Sequence, residues 1–454
     1  MLALHTLKDF YQTGATLSYE FRRESLKALE KAINKYEEEI NEALYNDLKK
    51  SKEETWATET GLLMSEIRYA NKYLHKWMKP KKVSTGLVTF PSSGKIYRDP
   101  LGVVLIISPW NYPLQLLLIP LVGAIAAGNC IVLKPSEMAP ATEKIIVKII
   151  RETFAENYIK VVTGNGAEVV PEMISSFRFD HIFYTGSTGI GKEIYKFAAN
   201  DLVPVTLELG GKSPCIVASD ADIEVAAKRI VLGKFLNAGQ TCIAPDYILT
   251  HESIKEKLLN SLAETIKQFY TSDPSSSYDY GKIINQKRFQ MLTGYLANGR
   301  IFYGGHFNED ALYIEPTILT DVSLNDRIMQ EEIFGPILPV FSFSTTEEAV
   351  TIVQQNKTPL AFYLFTKNKK VEKEWMQRIS FGGGCVNNTA WHFSNLNMPF
   401  GGIGCSGIGS YHGKKTFDIF SHAKPVLKTA TWFDPNLKYP PLKGKMGLLK
   451  RLIG

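Results

Sequence analysis

Cys242 has the setting that most invites covalent chemistry. It sits in Phe235-Leu-Asn-Ala-Gly-Gln-Thr-Cys-Ile-Ala-Pro, a small polar loop at the end of an expected helix, the kind of segment that carries function on a rigid scaffold. A nucleophilic cysteine must shed a proton whose ordinary pKa is about 8.5, and it needs backbone donors for the oxyanion it creates. A lone loop cysteine is equally compatible with an inert thiol. Glu208, in Val205-Thr-Leu-Glu-Leu-Gly-Gly-Lys-Ser-Pro, has the complementary character: a carboxylate at an apolar strand end is pushed by desolvation toward the general-base range, unless it is an ordinary surface glutamate. Asn111, in Ser108-Pro-Trp-Asn-Tyr-Pro, offers a side-chain amide after an apolar run, and Glu332 and Phe334, in Glu331-Glu-Ile-Phe-Gly-Pro, offer another carboxylate beside an aromatic ring. Cys130, Cys215 and Cys385 lie in or beside strand-like runs and read as small buried hydrophobes.

Two stretches have the look of phosphate or nucleotide contacts. His181-Ile-Phe-Tyr reads as a strand, Thr185-Gly-Ser-Thr-Gly-Ile-Gly as a turn and Lys192-Glu-Ile-Tyr-Lys-Phe as a helix, so Gly186 and Ser187 stand where unpaired helix N–H groups would face a phosphate. An ordinary glycine-rich turn fits the same spacing. Leu133-Lys134-Pro-Ser-Glu137 follows a strand-like run; at the carboxyl end of a parallel strand Lys134 and Glu137 could bond ribose hydroxyls, while Ser136 could cap the next helix. The literal G-x-G-x-x-G at Gly402–Gly407 is read as a tight backbone turn, because it lacks the strand before it and the helix after it.

These loops require a scaffold of alternating elements. Leu26, Leu29, Ile33, Tyr36, Ile40 and Leu44 mark an amphipathic helix, and a second is expected from Trp56 to Trp77. Lys81 to Pro100 reads as a projecting hairpin with Leu87-Val-Thr-Phe and Lys95-Ile-Tyr-Arg as its arms. Strand-like runs and helices then alternate in two blocks, from Val103 and from Pro214, which predicts an α/β chain with parallel, doubly wound sheets. No Asp, Glu, Lys or Arg occurs between Asp99 and Lys134, a length sufficient for a membrane span of about 20 residues. Its prolines, glycines and asparagines divide it instead into buried strand, loop, helix and strand.

Length and composition are consistent with this. A chain of 454 residues implies two or three domains at about 150 residues each, and 44% hydrophobic with 22% charged residues excludes disordered, collagen-like and coiled-coil classes. Lys+Arg 52 against Asp+Glu 46 leaves +6, with no basic cluster interleaved with aromatics, so no nucleic-acid partner is expected. Five scattered cysteines without a CxxC pair suggest neither a disulfide framework nor a metal site, and a reducing cytoplasmic setting is expected.

Taken together, Trp110-Asn-Tyr-Pro, Leu133-Lys-Pro-Ser-Glu, Tyr184-Thr-Gly-Ser-Thr-Gly-Ile-Gly, Leu207-Glu-Leu-Gly-Gly-Lys-Ser-Pro, Gly239-Gln-Thr-Cys, Glu331-Glu-Ile-Phe-Gly-Pro and Met398-Pro-Phe-Gly-Gly resemble the aldehyde dehydrogenase superfamily across essentially the whole chain. The ending Gly409-Ser-Tyr-His-Gly-Lys-Lys-Thr-Phe-Asp-Ile-Phe-Ser-His is similar to the class 3 branch of fatty and aromatic aldehyde dehydrogenases. The resemblance implies oxidation of aldehydes to carboxylic acids with NAD or NADP. Cys242 would be the nucleophile, Asn111 an oxyanion donor and Glu208 the base that hydrolyses a thioester; relatives that pass the acyl group to coenzyme A generally lack such a glutamate. It further implies that Lys134 and Glu137 hold the adenosine ribose, Gly186 and Ser187 the pyrophosphate, Glu332 the nicotinamide ribose, and that Phe334 packs near the nicotinamide. No metal is implied.

The implied fold is an aldehyde dehydrogenase-like one. It has a variant Rossmann cofactor domain (1–79 and 104–208), an α/β catalytic domain (209–407), and a small β oligomerisation element with a C-terminal tail (80–103 and 408–454). A homodimer is expected. Asn388 and Ala390-Trp391 depart from the usual class 3 pattern, so Trp391, His392 and Phe393 either shape a different substrate mouth or pack the loop. The segment Lys443–Gly454, with Leu448, Leu449, Leu452 and Ile453 beside Lys450 and Arg451, could touch a membrane surface, cover a substrate funnel or fray.

Overall fold

The computed structural model describes residues 4–356 and 358–453. The charge-free stretch folds as its punctuation implies. Val103–Ile107 and Cys130–Lys134 are strands buried on both faces, joined by the wholly buried helix Gln115–Ala127. That helix ends at Gly128, in the left-handed region at φ 90°, where a Cβ would stand 2.4 Å from the Arg22 guanidinium. Asn129 then takes the N–H groups of Leu101 and Gly102 on its Oδ1, at 2.8 and 2.9 Å. Here glycine is needed both for the backbone angle and for the closeness of a buried arginine.

Besides a small two-stranded ribbon, Phe307–Asn308 with Tyr313–Ile314, three larger sheets organise the described residues. The first runs Gly407–Ile408, Val205–Glu208, His181–Thr185, Val103–Ile107, Cys130–Lys134, Ile159–Val161, parallel except for its first member. The second runs Arg300–Tyr303, Thr317–Thr320, Ile337–Phe343, Tyr247–His251, Pro214–Val217, Ala361–Phe365, Gly383–Val386, again with only its first member antiparallel. These are the two expected α/β blocks. Burial on both faces explains their near-continuous Val, Ile, Leu and Phe content. Gly407–Ile408 rejoins the first sheet, so the stretch just past the glycine-rich turn packs beside the Glu208 strand.

The third sheet is antiparallel, in the order Lys81–Val83, Ser92–Pro100, Ser421–Thr429. The projecting hairpin is present, but its first arm is Lys81–Val83, and Leu87–Thr89 forms a single 3₁₀ turn at its tip instead of a strand. Leu87 is 80% exposed there, so the apolar tip pairs with nothing on its own sheet. The first amphipathic stretch is likewise two helices, Tyr19–Lys35 and Glu37–Leu48, hinged at Tyr36. Among the described residues no helix is long and apolar enough to cross a membrane, and no group of three or more His, Cys, Asp or Glu side chains converges as a metal site. The tail forms a short helix, Met446–Ile453; of the residues named for it above, the side chains of Leu448, Leu452 and Ile453 lie outside the described part.

Candidate active site

A cavity of about 430 Å³ lies where loops from the carboxyl ends of the first sheet meet loops of the second unit, the usual ligand position in open parallel sheets. Asn111, Gly186, Ser187, Glu208, Cys242, Glu332 and Phe334 all line it. Lys134 and Glu137 do not. They stand at the end of the neighbouring strand, where Lys134 Nζ donates to Glu137 Oε2 at 2.9 Å and Glu137 Oε1 accepts the Gly166 N–H at 2.8 Å.

The thiol loop is built by an unusual backbone. After the helix Ile223–Phe235 the chain passes through Asn237, Ala238 and Gly239, all at positive φ, which turns it back toward the cavity. Gly239 is required twice over: its φ is 74°, and a Cβ would meet the Gly335 carbonyl oxygen at 2.3 Å. Gln240 then locks the turn. Its Nε2 donates to the carbonyls of Asn237 and Lys282, and its Oε1 accepts the Ile284 N–H. Cys242 follows, half-buried, with its own N–H and that of Ile243 directed at the sulfur. Burial, then the Glu332 and Glu208 carboxylates, push the thiol well up, so it rests protonated and needs a base to become a nucleophile.

Glu208 ends its strand 2% exposed, and neither carboxylate oxygen has a hydrogen-bond partner among the described residues. Desolvation raises its pKa well above the ordinary carboxylate value. Asn111, also 2% exposed, donates from Nδ2 to the Gln240 carbonyl at 2.9 Å, which fixes its amide against the thiol loop. The sulfur, carboxylate and amide identified in the sequence therefore share one cavity.

Four residues expected to meet a dinucleotide, Gly186, Ser187, Glu332 and Phe334, line the cavity beside them. Ser187 caps the helix Thr188–Asn200, accepting the Ile190 N–H, and turns the N-terminus of that helix toward the cavity rim. Gly210 leaves room for Glu332, since a Cβ there would fall 1.9 Å from Glu332 Oε2. Burial raises the Glu332 pKa to about 8. Phe334 holds φ at 50°, a strained value for a phenylalanine. Two groups hold it there: Arg288, which donates to the Ile333 and Phe334 carbonyls at 2.9 and 3.1 Å, and Trp110, edge-on at 5.3 Å.

The loop carrying Glu332 is fixed from behind. Lys212 pairs with Asp246 in the interior and donates to the Ile328 and Glu331 carbonyls, while Asp246 accepts the Ile333 N–H. Gln240, Lys212, Asp246 and Arg288 were not identified from the sequence. Apart from the Gln240–Asn237 contact, the partners named for them lie tens of residues away, and no local spacing signals them.

Of the aromatic trio at the mouth, Phe393 lines the cavity, together with Ala390. Trp391 is 45% exposed, and His392 turns away to meet Cys385, Nδ1 to Sγ at 3.6 Å. Cys385 is thus half-buried beside a histidine instead of a plain core residue, whereas Cys130 and Cys215 are fully buried.

With this geometry in hand, comparisons with known proteins decide the family. A sequence model described as the aldehyde dehydrogenase family matches residues 3–426. The chain belongs to the aldehyde dehydrogenase family. It is 48% identical to 4,4'-diaponeurosporen-aldehyde dehydrogenase of Staphylococcus aureus, over 98% of this chain and 96% of that protein. It is 43% identical to aldehyde dehydrogenase family 3 member B1 of Rattus norvegicus, over 96% and 94%. The substrate-bound structure of Staphylococcus aureus AldH superposes with a TM-score of 0.97 at 46% identity, covering 99% of this chain and 98% of that one. Staphylococcus aureus betaine aldehyde dehydrogenase in complex with NAD+ superposes at 0.84 with 28% identity, covering 95% and 89%. The α/β fold, the class 3 kinship and an NAD(P)-dependent oxidation of aldehydes to acids, all expected from the motifs, are therefore established.

Proposed function

We propose that this aldehyde dehydrogenase oxidises medium- or long-chain aliphatic or aromatic aldehydes through a thioester on Cys242. The convergence of Cys242, Glu208 and Asn111 on one cavity carries the reading. Cys242 Sγ attacks the aldehyde carbon and forms an S–C bond. The thiol proton passes to Glu208, and the carbonyl electrons become an alkoxide. Asn111 Nδ2, with its second hydrogen, and the Cys242 N–H donate to that oxygen. A bound nicotinamide would supply the two-electron acceptor for the hydride on that carbon, the alkoxide electrons re-forming C=O as the thioester. Glu208 releases the thiol proton to solvent and removes another from water, the hydroxide adds to the thioester carbon, and the C–S bond breaks to give the carboxylic acid and a thiolate that takes the proton back from Glu208.

Ser187 would meet the pyrophosphate, Glu332 the nicotinamide ribose and Phe334 the nicotinamide. Lys134 and Glu137, one strand along the same sheet edge, would meet the adenosine ribose. The apolar wall of Leu116, Leu236, Ile243, Met291, Phe393 and Phe400 favours an apolar aldehyde, and the Staphylococcus aureus relative named for a diaponeurosporene aldehyde supports that class. The outer edge of Ser421–Thr429, with Val426 and Leu427 exposed, supports a homodimer. The basic Met446–Ile453 helix, with Lys450 and Arg451, supports weak contact with a membrane surface, and the free cysteines support a cytoplasmic setting.

The test is kcat/KM for a series from acetaldehyde to hexadecanal, with benzaldehyde, using NAD+ and NADP+. Rising values with chain length are expected. A preference for acetaldehyde would overturn the substrate class, and no reduction of either cofactor by any aldehyde would overturn the reading as a whole.

A further inference from the structure

We propose that the buried Lys50–Glu59 ion pair is the positioning device of the oxyanion donor, fixing the Asn111 loop against the thiol loop. The inference rests on the role given to Asn111 above. Both side chains are fully buried, with Nζ 2.7 Å from Oε1. The pair does not close on itself. Lys50 Nζ also donates to the Asn111 main-chain carbonyl at 3.1 Å and stands 3.9 Å from the centre of the Tyr112 ring. Glu59 Oε2 accepts the N–H groups of Leu114 and Gln115, each at 3.0 Å, donors at a helix start that the helix itself cannot satisfy. One ion pair thus grips both ends of the segment from Asn111 to Gln115.

The same grip reaches the nucleophile. The Tyr112 hydroxyl shares a hydrogen bond of 2.6 Å with Thr241 Oγ1, next to Cys242. Asn237, at the start of the left-handed turn, adds a second bond to the Asn111 carbonyl at 2.8 Å. The local backbone is shaped to deliver the carboxylate. Trp56–Thr60 forms a wide π turn, a feature that concentrates at functional sites. It closes against Gly61, where a Cβ would lie 2.5 Å from the Trp56 carbonyl oxygen.

A buried ion pair is a poor stabiliser, because desolvation offsets its Coulomb gain and apolar replacements are often neutral. What it supplies here is register. An oxyanion donor works only within a narrow tolerance of the reacting atom, and a misplacement of about 1 Å can cost about 100-fold.

The test is a double-mutant cycle in the full-length enzyme, with NAD+ affinity and thermal midpoint read alongside. Lys50→Met is expected to lower kcat about 10- to 100-fold while NAD+ binding is kept. In an Asn111→Ala background the same substitution is expected to cost no more than about threefold, because the donor it positions is already gone. Glu59→Gln, isosteric and neutral, is read in the same way and keeps the test available should Lys50→Met fail to fold. Lys50→Met with unimpaired kcat, or a loss of equal size in both backgrounds, would overturn the positioning role alone. Full turnover by Asn111→Ala would overturn the oxyanion assignment and this inference with it.

Discussion

Replacing Glu208 with glutamine should separate the two halves of the reaction. The side chain is almost completely buried and its oxygens meet no donor among the described residues, so glutamine fits the same volume without disturbing a hydrogen bond. What disappears is the ability to accept a proton, first from the thiol and then from water. General-base assistance is typically worth about 10²–10⁴-fold, and the steady-state rate should fall by that factor. Because Glu208 also accepts the thiol proton, the first turnover should slow too, but without a base for hydrolysis it should stop at about one equivalent of reduced cofactor per active site in rapid-mixing absorbance, with the acyl mass retained on the protein. Stability supplies an independent check. Because burial raises the folded-state pKa of Glu208, the protonated form is favoured in the fold, and the wild type loses stability as pH rises from the ordinary carboxylate pKa through the raised one. Glutamine has no such loss, so the thermal midpoint of the variant relative to wild type should climb with pH. Unimpaired steady-state turnover, or a slow phase with no retained acyl group, would refute the assignment.

Three further outcomes follow from the electrostatics. Cys242 and Glu208 both have raised pKa values and both must lose a proton to act, so kcat/KM should rise with pH. Glu332→Gln removes the carboxylate that contributes most to the thiol shift after burial, and should move that rising limb to lower pH when measured at saturating NAD+; an unmoved or upward-shifted limb contradicts the coupling. Glu137 is held ionised by Lys134 and the Gly166 N–H, which bring its pKa below the usual value despite partial burial, so it should repel a 2′-phosphate. Glu137→Ala should raise the ratio of kcat/KM with NADP+ to that with NAD+ at least about tenfold, or about 1.4 kcal/mol, and an unchanged ratio would remove the adenosine contact from this residue.

Chemistry was legible in the sequence wherever a residue's environment is set by its immediate neighbours. Glu208 ends an apolar strand ahead of two glycines, and Cys242 follows a loop whose Gly239 meets a real steric demand. The glycines at 402–407 serve a crossing, as the turn reading required: a Cβ on Gly402 would lie 2.1 Å from the Ser406 carbonyl oxygen, and the loop leads into the strand paired with Glu208. Register and lateral placement were not legible. The hairpin arm moved to Lys81–Val83 because strand pairing is decided by the partner at Gly94–Ile96, which propensity at Leu87 does not report. Strand-end position told that Lys134 and Glu137 sit at the ligand edge of the sheet, but not that they stand one strand away from the cavity. Lys50, Glu59, Gln240 and Lys212 escaped notice because the groups that define their roles, the Asn111 carbonyl and the Leu114 and Gln115 N–H groups for the first two, Lys282 and Ile284 for Gln240 and Asp246 for Lys212, are brought to them only by the tertiary fold.

The most direct test of the account is Cys242→Ala, assayed for aldehyde oxidation and NAD+ binding on the same folded preparation. The Cys242 sulfur is the only protein atom assigned to bond the substrate carbon, so turnover should vanish and no acyl adduct should form, while cofactor affinity stays at the wild-type value. Sustained aldehyde oxidation by the alanine variant would contradict the mechanism at its root.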